Sequence, residues 1–394
     1  MGVKSQFILS LVLATLFVTE AVSQITTEWP RGFPEVTTFT NQGDYIGAGQ
    51  TYQAAEDDRG VIYFGNLVHG VQIYDGNNWQ RLSFLTSQQI IAMNWHEKRK
   101  RMYAGADSFF GYITVNERNV YEFVDLTAEH SMQEFTWPRI DELLRWNDDI
   151  LIRMETQLLI WDGQDSRNIF NHGGYIYSVN PTQMGIWMYV RGHGLVRGDE
   201  HGFEMVAYPS QYGAVAGVFD EGNSVLAFTR QGYLLDFHTE TEEWILRNPN
   251  GIQANRNQEF NRIIETRDGS FAATTGADGV FFINRDGSLR YHMTNEHGLS
   301  ANTKSYLFED SNGSVWAGSP VGISMIEYAS PFRVLRGEQQ APGRSNEMVS
   351  HNGNLYIATT GIYRWDGAEQ SWQTLIEGTG RIVNIRSDNG NRLF

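Results

Sequence analysis

The amino-acid sequence predicts an all-β protein. We expect a β-propeller with one complete seven-bladed ring, followed by the start of a second, incomplete ring. The first supporting observation is composition: the chain has 40 glycines and only 9 prolines, with 11 tryptophans, 18 tyrosines and 22 phenylalanines. Glycine permits the positive φ angles of tight turns, and aromatic side chains suit pleated, half-buried faces. The second observation is a repeated cassette of strands.

Each cassette reads as an alternating strand, a polar turn with glycine, a second apolar strand, a glycine and a third strand. The clearest copy runs from residue 305 to residue 326, with Asn312-Gly313 in its turn and Trp316 in its second strand. The second-strand anchors span 293 residues at a mean interval of about 42, within the roughly 40–50 residues typical of a propeller blade. These anchors are Tyr63, Tyr103, Leu151, Trp187, Leu226, Phe271, Trp316 and Tyr356.

Radial stacking is the arrangement that suits such cassettes. One small sheet cannot bury both of its faces, whereas sheets stacked around an axis bury them against each other. No segment keeps the apolar spacing of a helix over three turns. Turn pairs such as Asp75-Gly76 and Asp268-Gly269 mark the hairpins between strands.

Three segments are predicted along the chain. Residues 1–23 are expected to be a signal peptide, since Lys4 precedes an apolar run and Ala21-Val22-Ser23 offers a cleavage site. Residues 24–335 are expected to hold the first propeller, of about seven blades. Residues 336–394 are expected to be the first blades of a second propeller. Because a ninth cassette starts near residue 382 and breaks off within a strand, we expect a longer protein.

Charge and cysteine content exclude several classes of function. The formal net charge is −16, which repels a phosphate backbone, so nucleic acid is not an expected partner. The chain contains no cysteine, which excludes disulfides, thiolate metal sites, a cysteine nucleophile and a lipid anchor on an N-terminal cysteine.

No catalytic or metal-binding motif stands out. The sequence has no phosphate-binding loop and no paired zinc histidines. His292 and His297 lie on a predicted loop and are not expected to bind metal. The turn 310–313 is similar to the start of a calcium loop but lacks the later oxygen ligands. We therefore expect no catalytic residues, no metal and no cofactor.

The best-defined cassette resembles the two-component-regulator propeller repeat, and the resemblance extends over essentially all of residues 40–394. Copies around Tyr63 and Tyr356 also match, whereas the copies at Leu151 and Leu226 lack the expected glycine. The matching residues are Gly298-Leu299-Ser300-Ala301-Asn302, Glu309-Asp310, Gly313, Val315-Trp316-Ala317-Gly318 and Gly322-Ile323.

The resemblance implies the periplasmic sensor region of a bacterial transmembrane regulator. In that family the propellers continue into a β-sandwich, a membrane helix and a cytoplasmic output domain such as a kinase, cyclase or phosphatase. The implied location is the periplasm, with the full-length protein anchored in the inner membrane through downstream residues. A dimer is compatible with this architecture.

The predicted architecture also nominates a ligand site. In a propeller of this strand order, the first strands line the axis, and the loops after the second strands gather at one mouth together with the connections between blades. Aromatic and arginine side chains there could stack on and hydrogen-bond a small molecule, a sugar or a carboxylate. The candidate ligand-binding residues are Asn66, His69, Asp107, Phe109, Phe110, Arg191, His193, Arg230 and Asp278.

Three functions fit the sequence. The favoured interpretation is a non-catalytic, ligand-sensing propeller of a signal-transduction regulator. The second is a secreted propeller enzyme acting on carbohydrate, which would need acids, histidines or tyrosines converging at the mouth. The third is a secreted interaction scaffold with no signalling role.

Overall fold

A computed structural model of the chain is built almost entirely of β-strands. It describes residues 29–40, 50–68, 70–82, 89–107, 109–118, 120–127, 139–254, 258–345, 347–378, 385–388 and 392. Within these residues, 32 strands form eight four-stranded antiparallel sheets. The helical elements among them are three single-turn 3-10 helices, Ser210–Tyr212, Asn295–His297 and Gly337–Gln339. The predicted all-β propeller fold is confirmed.

The first four sheets along the chain are blades 1 to 4, and each contains four consecutive strands. Blade 1 contains β2 (Thr51–Glu56), β3 (Ile62–Asn66), β4 (Gly70–Tyr74) and β5 (Trp79–Leu82). Blade 2 contains β6 (Ala92–His96), β7 (Arg101–Ala106), β8 (Phe109–Val115) and β9 (Tyr121–Asp125). Blade 3 contains β10 (Ile140–Trp146), β11 (Asp149–Met154), β12 (Leu158–Trp161) and β13 (Ser166–Phe170). Blade 4 contains β14 (Ile176–Thr182), β15 (Gly185–Val190), β16 (Gly194–Asp199) and β17 (Gly202–Met205).

The remaining sheets follow the same order, except that blade 7 also takes in the first strand of the chain. Blade 5 contains β18 (Val215–Glu221), β19 (Ser224–Thr229), β20 (Leu234–His238) and β21 (Glu243–Leu246). Blade 6 contains β22 (Phe260–Glu265), β23 (Phe271–Thr275), β24 (Val280–Ile283) and β25 (Leu289–Met293). Blade 7 contains β26 (Tyr306–Glu309), β27 (Val315–Ser319), β28 (Gly322–Ile326) and β1 (Val36–Thr40). The eighth sheet contains β29 (Glu347–His351), β30 (Asn354–Ala358), β31 (Ile362–Asp366) and β32 (Ser371–Ile376).

All eight predicted anchors lie in the second strand of their sheet, including those of the copies at Leu151 and Leu226, which lack the expected glycine. In blades 1, 6 and 7 every residue of the second strand is buried. Both faces are covered because each blade is packed between two neighbours. This explains why the second strands read as apolar runs.

Side-chain hydrogen bonds of an aspartate hold the hairpin between the first and second strands, and we call this arrangement the polar lock. In blade 7, Asp310 Oδ1 accepts hydrogen bonds from the backbone N–H groups of Asn312 and Ser314, both at 2.9 Å. Its Oδ2 accepts the indole N–H of Trp316 at 2.8 Å. Asp57 makes the same arrangement with Tyr63 in blade 1. In blades 1 and 7 the acidic residue before the turn therefore ties the hairpin to the buried ring of the second strand.

The N-terminal strand β1 closes the ring, which the sequence did not predict. It is the outermost strand of blade 7 and pairs with β28, from Val36 opposite Ile326 to Thr40 opposite Gly322. The innermost strands contact each other in cyclic order, and β26 of blade 7 returns to β2 of blade 1. Seven blades therefore form a closed ring, with no free edge between the first blade and the last.

Aromatic side chains fill the spaces between blades. Between blades 2 and 3, the Phe110 ring stacks on Tyr103 with centroids 5.7 Å apart and meets the edge of Trp161 at 5.8 Å. Burying one such ring contributes roughly 1.5–3 kcal/mol to stability. A chain without cysteine can therefore hold its blades together through these contacts.

The chain divides into two compact units. One spans Gly32–Val334 and holds the seven blades. The other includes residues from Leu335 onward and holds the eighth sheet. The predicted signal peptide, residues 1–23, lies outside the described residues, and most of the predicted ninth cassette does too.

Candidate functional site

The axis of the ring contains a small cavity of about 110 Å³. It is lined by the innermost strands, and its entrance is the face where second strands end and first strands begin. We call this face the mouth. A water molecule needs roughly 10–15 Å³ of such volume, so the cavity has room for a few waters or one small polar group.

A repeated β-bulge shapes the mouth. In five of the seven innermost strands the pairing shifts by one residue just after the strand begins. Bulges re-aim side chains and occur often at barrel rims and beside binding sites. The extra residue of each bulge lines the axial cavity, and these residues are Tyr52, Asp141, Tyr177, Ala216 and Asn261.

Three tyrosines of blade 4 form an aromatic shelf at the mouth. Tyr175 and Tyr177 are 37% and 36% exposed, and their ring centroids lie 5.0 Å apart. Tyr177 also lies 6.1 Å from Tyr189. The backbone holds the shelf in place because the Arg191 N–H donates to the carbonyl of Tyr175 at 2.9 Å. We refer to Tyr175, Tyr177 and Tyr189 as the tyrosine shelf.

Gly174 permits the close approach that positions the shelf. It has a φ of +89°, and a Cβ at this position would lie 2.3 Å from the carbonyl oxygen of Arg191. Such a contact is sterically forbidden, so only glycine fits here. The turn before β14 thus directs Tyr175 and Tyr177 outward while Ile176 is fully buried.

Arg230 lies over the shelf from blade 5. Its guanidinium carbon is 5.6 Å from the centroid of Tyr177, a cation–π distance. Its Nε donates to the Glu259 carboxylate at 2.9 Å, which fixes the side chain. The structure therefore brings together a predicted residue, Arg230, and an aromatic partner that the sequence did not single out.

Charged side chains of blades 3 and 6 meet in the axial cavity. Glu142 accepts a hydrogen bond from Arg153 Nε at 2.9 Å and contacts Arg262 Nη1 at 3.4 Å across the axis. The Arg153 side chain is 4% exposed and also approaches Asp141 at 3.6 Å. Buried charges persist only when paired in this way. Arg262 is 39% exposed, so part of its guanidinium faces the open side of the cavity.

The cavity also has an unsatisfied donor. Among the described residues, the side-chain Nδ2 of Asn180 is buried without a hydrogen-bond partner, and Asn180 lines the cavity. Buried polar groups are almost always hydrogen-bonded. The cavity thus has room for an acceptor atom from water or from a ligand.

Deeper in blade 4, Tyr208 supports the shelf. Burial raises the pKa of Tyr208 well above its usual value, and the nearby Tyr189 and Tyr212 raise it further. The phenol therefore stays protonated and donates to the carbonyl of Gly213 at 2.9 Å. Its ring meets Tyr189 edge-on at 6.3 Å, so the shelf rests on a fixed hydrogen-bonded ring.

Several predicted site residues are exposed at the mouth. Asp107 lies just beyond β7 and is exposed. Arg191 and His193 lie in the exposed turn after β15, where the N–H of His193 donates to the carbonyl of Val190. His69 lies outside the described residues.

The other predicted residues are buried and make internal contacts. Asn66 has no exposed surface, and its Oδ1 accepts the Val68 N–H at 3.0 Å. Asp278 is 8% exposed, and its carbonyl is 2.6 Å from the Nε2 of His292.

Phe109 and Phe110 belong to the core between blades. Phe109 is 6% exposed and stacks on Phe123 at 4.3 Å. Phe110 has no exposed surface. Consecutive residues of a strand point to opposite faces, and both faces of blade 2 are covered by neighbours. The proposed site therefore does not include these two rings.

Sequence reasoning missed most of the residues that meet at the mouth. Tyr175, Tyr177, Glu142 and Arg262 lie at the start of first strands, whereas the prediction concentrated on the loops after second strands. One sequence feature could have indicated these residues: a polar or aromatic residue in the second position of an otherwise apolar first strand.

No helix in the described part of the chain is long and apolar enough to cross a membrane. Within the same residues, no group of three or more histidine, aspartate or glutamate side chains is placed to hold a metal ion.

Comparison with known proteins gives structural neighbours only. No family model and no curated protein matches the chain. One neighbour is the extracellular domain of the putative hybrid two-component system BT3049 from B. thetaiotaomicron, with a TM-score of 0.64 and 13% identity over 92% of this chain and 52% of that one. Another is the extracellular domain of the putative one-component system BT4673 from the same organism, with a TM-score of 0.58 and 17% identity over 92% and 57% of the two chains.

A third neighbour is a single propeller, and the match covers nearly all of that chain but only part of this one. The WD40 β-propeller domain of Doa1 has a TM-score of 0.55 and 10% identity, over 75% of this chain and 96% of that one. The chain thus spans just over half the length of the two B. thetaiotaomicron domains and exceeds a single propeller. At these identities the similarity establishes the β-propeller fold.

Proposed function

We propose that this chain is the ligand-sensing region of an exported bacterial signal-transduction regulator and that it is not itself catalytic. The observation that carries the proposal is the repeated bulge, which turns five first-strand residues toward one axial cavity beneath an open mouth. Two structural neighbours are extracellular domains of putative regulators and match over 92% of this chain, which supports the same role.

The ligand is expected to lie on the tyrosine shelf. A sugar ring or other flat apolar face stacks on Tyr177, while Arg230 and Arg262 offer donors to a hydroxyl or carboxylate. The axial cavity is far smaller than the roughly 300–1,000 Å³ of a typical ligand pocket. Most of the ligand therefore stays in the mouth, and one polar group reaches toward Asn180.

Binding at this position can couple several blades. The mouth residues come from the first strands of blades 1, 3, 4, 5 and 6. A ligand that contacts several of them shifts the equilibrium between arrangements of the ring only if it binds one arrangement more tightly. Such coupling would transmit a signal without chemistry on the ligand.

The proposal is tested by ligand-induced stabilisation of the purified chain. The melting temperature is measured against a panel of neutral oligosaccharides, uronic-acid oligosaccharides and small carboxylic acids. Hits are measured by calorimetry in Tyr177→Ala, Tyr177→Phe and Arg230→Gln. We expect Tyr177→Ala to weaken binding by roughly 5- to 150-fold, because stacking of a ligand ring on one aromatic side chain is worth about 1–3 kcal/mol. Tyr177→Phe keeps the ring and should bind nearly as the wild type.

Two results would overturn the proposal. A panel that stabilises nothing, together with unchanged transcription in a gene-deletion strain grown on the same compounds, removes the sensor role. Release of new products when the purified chain is incubated with the polysaccharides replaces it with the enzyme interpretation.

A further inference from the structure

A second concave surface lies on the face of the ring opposite the mouth, between blade 7 and blade 1. It encloses about 470 Å³, which falls in the roughly 300–1,000 Å³ range of small-molecule sites. Its sides are the hairpin turns of the two blades, including Gly60, Gly76 and Asn312. We call it the basal groove.

The wall of the basal groove is apolar and aromatic. Trp316, Tyr74, Ile62 and Met325 line it. The Tyr74 and Trp316 ring centroids are 5.6 Å apart. The indole is held by its hydrogen bond to Asp310, and the Tyr74 hydroxyl donates to the carbonyl of Gly76 at 2.7 Å. These rings are fixed, so the wall is preformed.

The rim of the basal groove carries only negative charge. Glu56, Asp310 and Glu327 line it, and the lining includes no lysine, arginine or histidine. Glu56 accepts two hydrogen bonds from Ser311, from its N–H and its hydroxyl, both at 2.6 Å. Asp310 is likewise held by neutral donors. Neutral donors orient these carboxylates without cancelling their charge.

Two other grooves on this face contain glutamates that are paired with arginines. In the groove of blade 5, Glu221 is paired with Arg285 at 2.7 Å and Arg247 at 3.2 Å. In the groove between blades 3 and 4, Glu204 is paired with Arg197 at 2.7 Å. Among the described residues, no basic side chain of this chain pairs with Glu56, Asp310 or Glu327. The Glu56 and Glu327 carboxylates can therefore accept a positively charged group from outside the chain.

A buried amide on the same sheet face also lacks its partners. Gln72 precedes Tyr74 by two residues on β4, so both side chains face the space between blades 1 and 7. Gln72 is 1% exposed, and neither its Nε2 nor its Oε1 has a hydrogen-bond partner among the described residues. Leaving both atoms unsatisfied is costly. This interblade space thus offers polar sites that solvent or a ligand must fill.

We propose that the basal groove binds a small organic cation, a guanidinium or ammonium group carried on an apolar chain. The charged group lies at Glu327 and Glu56, and the chain lies along the Tyr74–Trp316 wall, where the aromatic rings also attract the cation. Carboxylates and aromatic faces together recognise this chemistry and select against anions. This site is separate from the mouth.

The test uses agmatine, an alkyl guanidine, as the probe. Calorimetry and methyl and indole NMR shifts of the full chain are recorded with agmatine and with N-butylurea, which keeps the four-carbon chain but carries a neutral urea and no amine. We expect agmatine to bind and to shift the Trp316 indole signal. We expect Glu327→Gln to weaken it roughly tenfold, the loss typical of one charge-assisted contact.

The matched control is Glu204→Gln, which removes a carboxylate that already has an arginine partner. This variant should leave agmatine binding unchanged. The melting temperatures of both variants are measured to check that they fold. Absence of agmatine binding at millimolar concentration overturns the proposal. So does equal binding of the urea or an equal effect of the two variants. Binding confined to an arginine-containing peptide, with agmatine silent, replaces it with a protein-docking groove.

Discussion

Lys304 is a lysine buried in the ring without a charged partner among the described residues. It lies before β26 and is 3% exposed. Within the described part of the chain, its ammonium group donates hydrogen bonds to two serine hydroxyls, those of Ser300 at 3.2 Å and Ser324 at 3.4 Å. Burial without a counter-charge lowers the pKa of Lys304 to about 7. At neutral pH, keeping this side chain charged therefore lowers the stability of the folded chain.

We predict that Lys304 makes stability rise with pH. In the unfolded chain its pKa is about 10.4. Between about pH 7 and that value, the unfolded chain holds a proton that the folded chain has released, so the free energy of unfolding increases with pH. Lys304→Met removes this pH-dependent contribution to the free energy of unfolding. The variant should melt several degrees higher than the wild type at neutral pH, and the difference should shrink toward alkaline pH.

The measurement is the melting temperature of both proteins from pH 6 to 9.5. The difference between the two isolates Lys304 from other titrating groups. A difference that does not change with pH would show that the burial of Lys304 has no effect on its proton affinity.

Among the strands, β1 contributes to the closure of the ring both by pairing and by side-chain packing. It pairs with β28 and covers an edge of blade 7 that would otherwise be open. Its Phe39 stacks on Trp316 at 5.8 Å and meets Trp79 edge-on at 5.2 Å. One ring thus links the first strand of the chain to blade 7 and to blade 1.

We predict that Phe39→Ala opens the ring locally. The loss should be about 2–3 kcal/mol, somewhat below that of a fully buried phenylalanine because Phe39 is only partly buried. Hydrogen exchange measured by mass spectrometry should become faster in β1 and β28 and stay unchanged in blades 3 to 5. Leu289→Ala, on the outer strand of blade 6 and 49% exposed, is the control and should change neither. Uniformly faster exchange would argue against a local closure.

The polar lock of the hairpins was readable from the sequence, whereas the bulges at the mouth were not. Asp310 and its turn residues are neighbours along the chain, so their hydrogen bonds follow from local spacing. The bulge at Tyr177 depends on the register of β14 against β15. Register is set by packing against the adjacent blades, which a single cassette does not encode.

At the scale of the whole molecule, the eighth sheet differs from the ring. Met348, Leu375 and Ile376 are 52%, 48% and 53% exposed. Within the seven blades, the strand residues that are this exposed, such as Met205 and Ile245, lie on outermost strands, whereas Met348 lies on β29, the first strand of its sheet. A sheet that keeps apolar side chains in solvent gains less free energy from burial.

We predict that this difference shows in limited proteolysis. Trypsin should cleave the purified chain first between the two units, at Arg336 or Arg344, and then degrade the eighth sheet. A fragment ending near residue 335 should persist, because cleavage needs local opening and the closed ring opens rarely. Mass spectrometry of the time course identifies the fragment. Equal resistance along the chain would contradict the expectation.

The sequence by itself determined the repeat, the all-β fold and the second strand of every blade. Each of these features is local, because the alternation of apolar residues and the turn pairs lie within one cassette. The anchors at Leu151 and Leu226 lie in second strands as predicted, so blade spacing remains informative where the glycine pattern is lost.

The tertiary structure alone decided which strand closes the ring and which side chains meet at the axis. Val36 and Ile326 pair across almost the full length of the ring. Glu142 and Arg262 meet across the axis from blades 3 and 6. Such contacts depend on the number of blades and on their registers, because both fix where each first strand lies. No window of sequence around these residues contains that information.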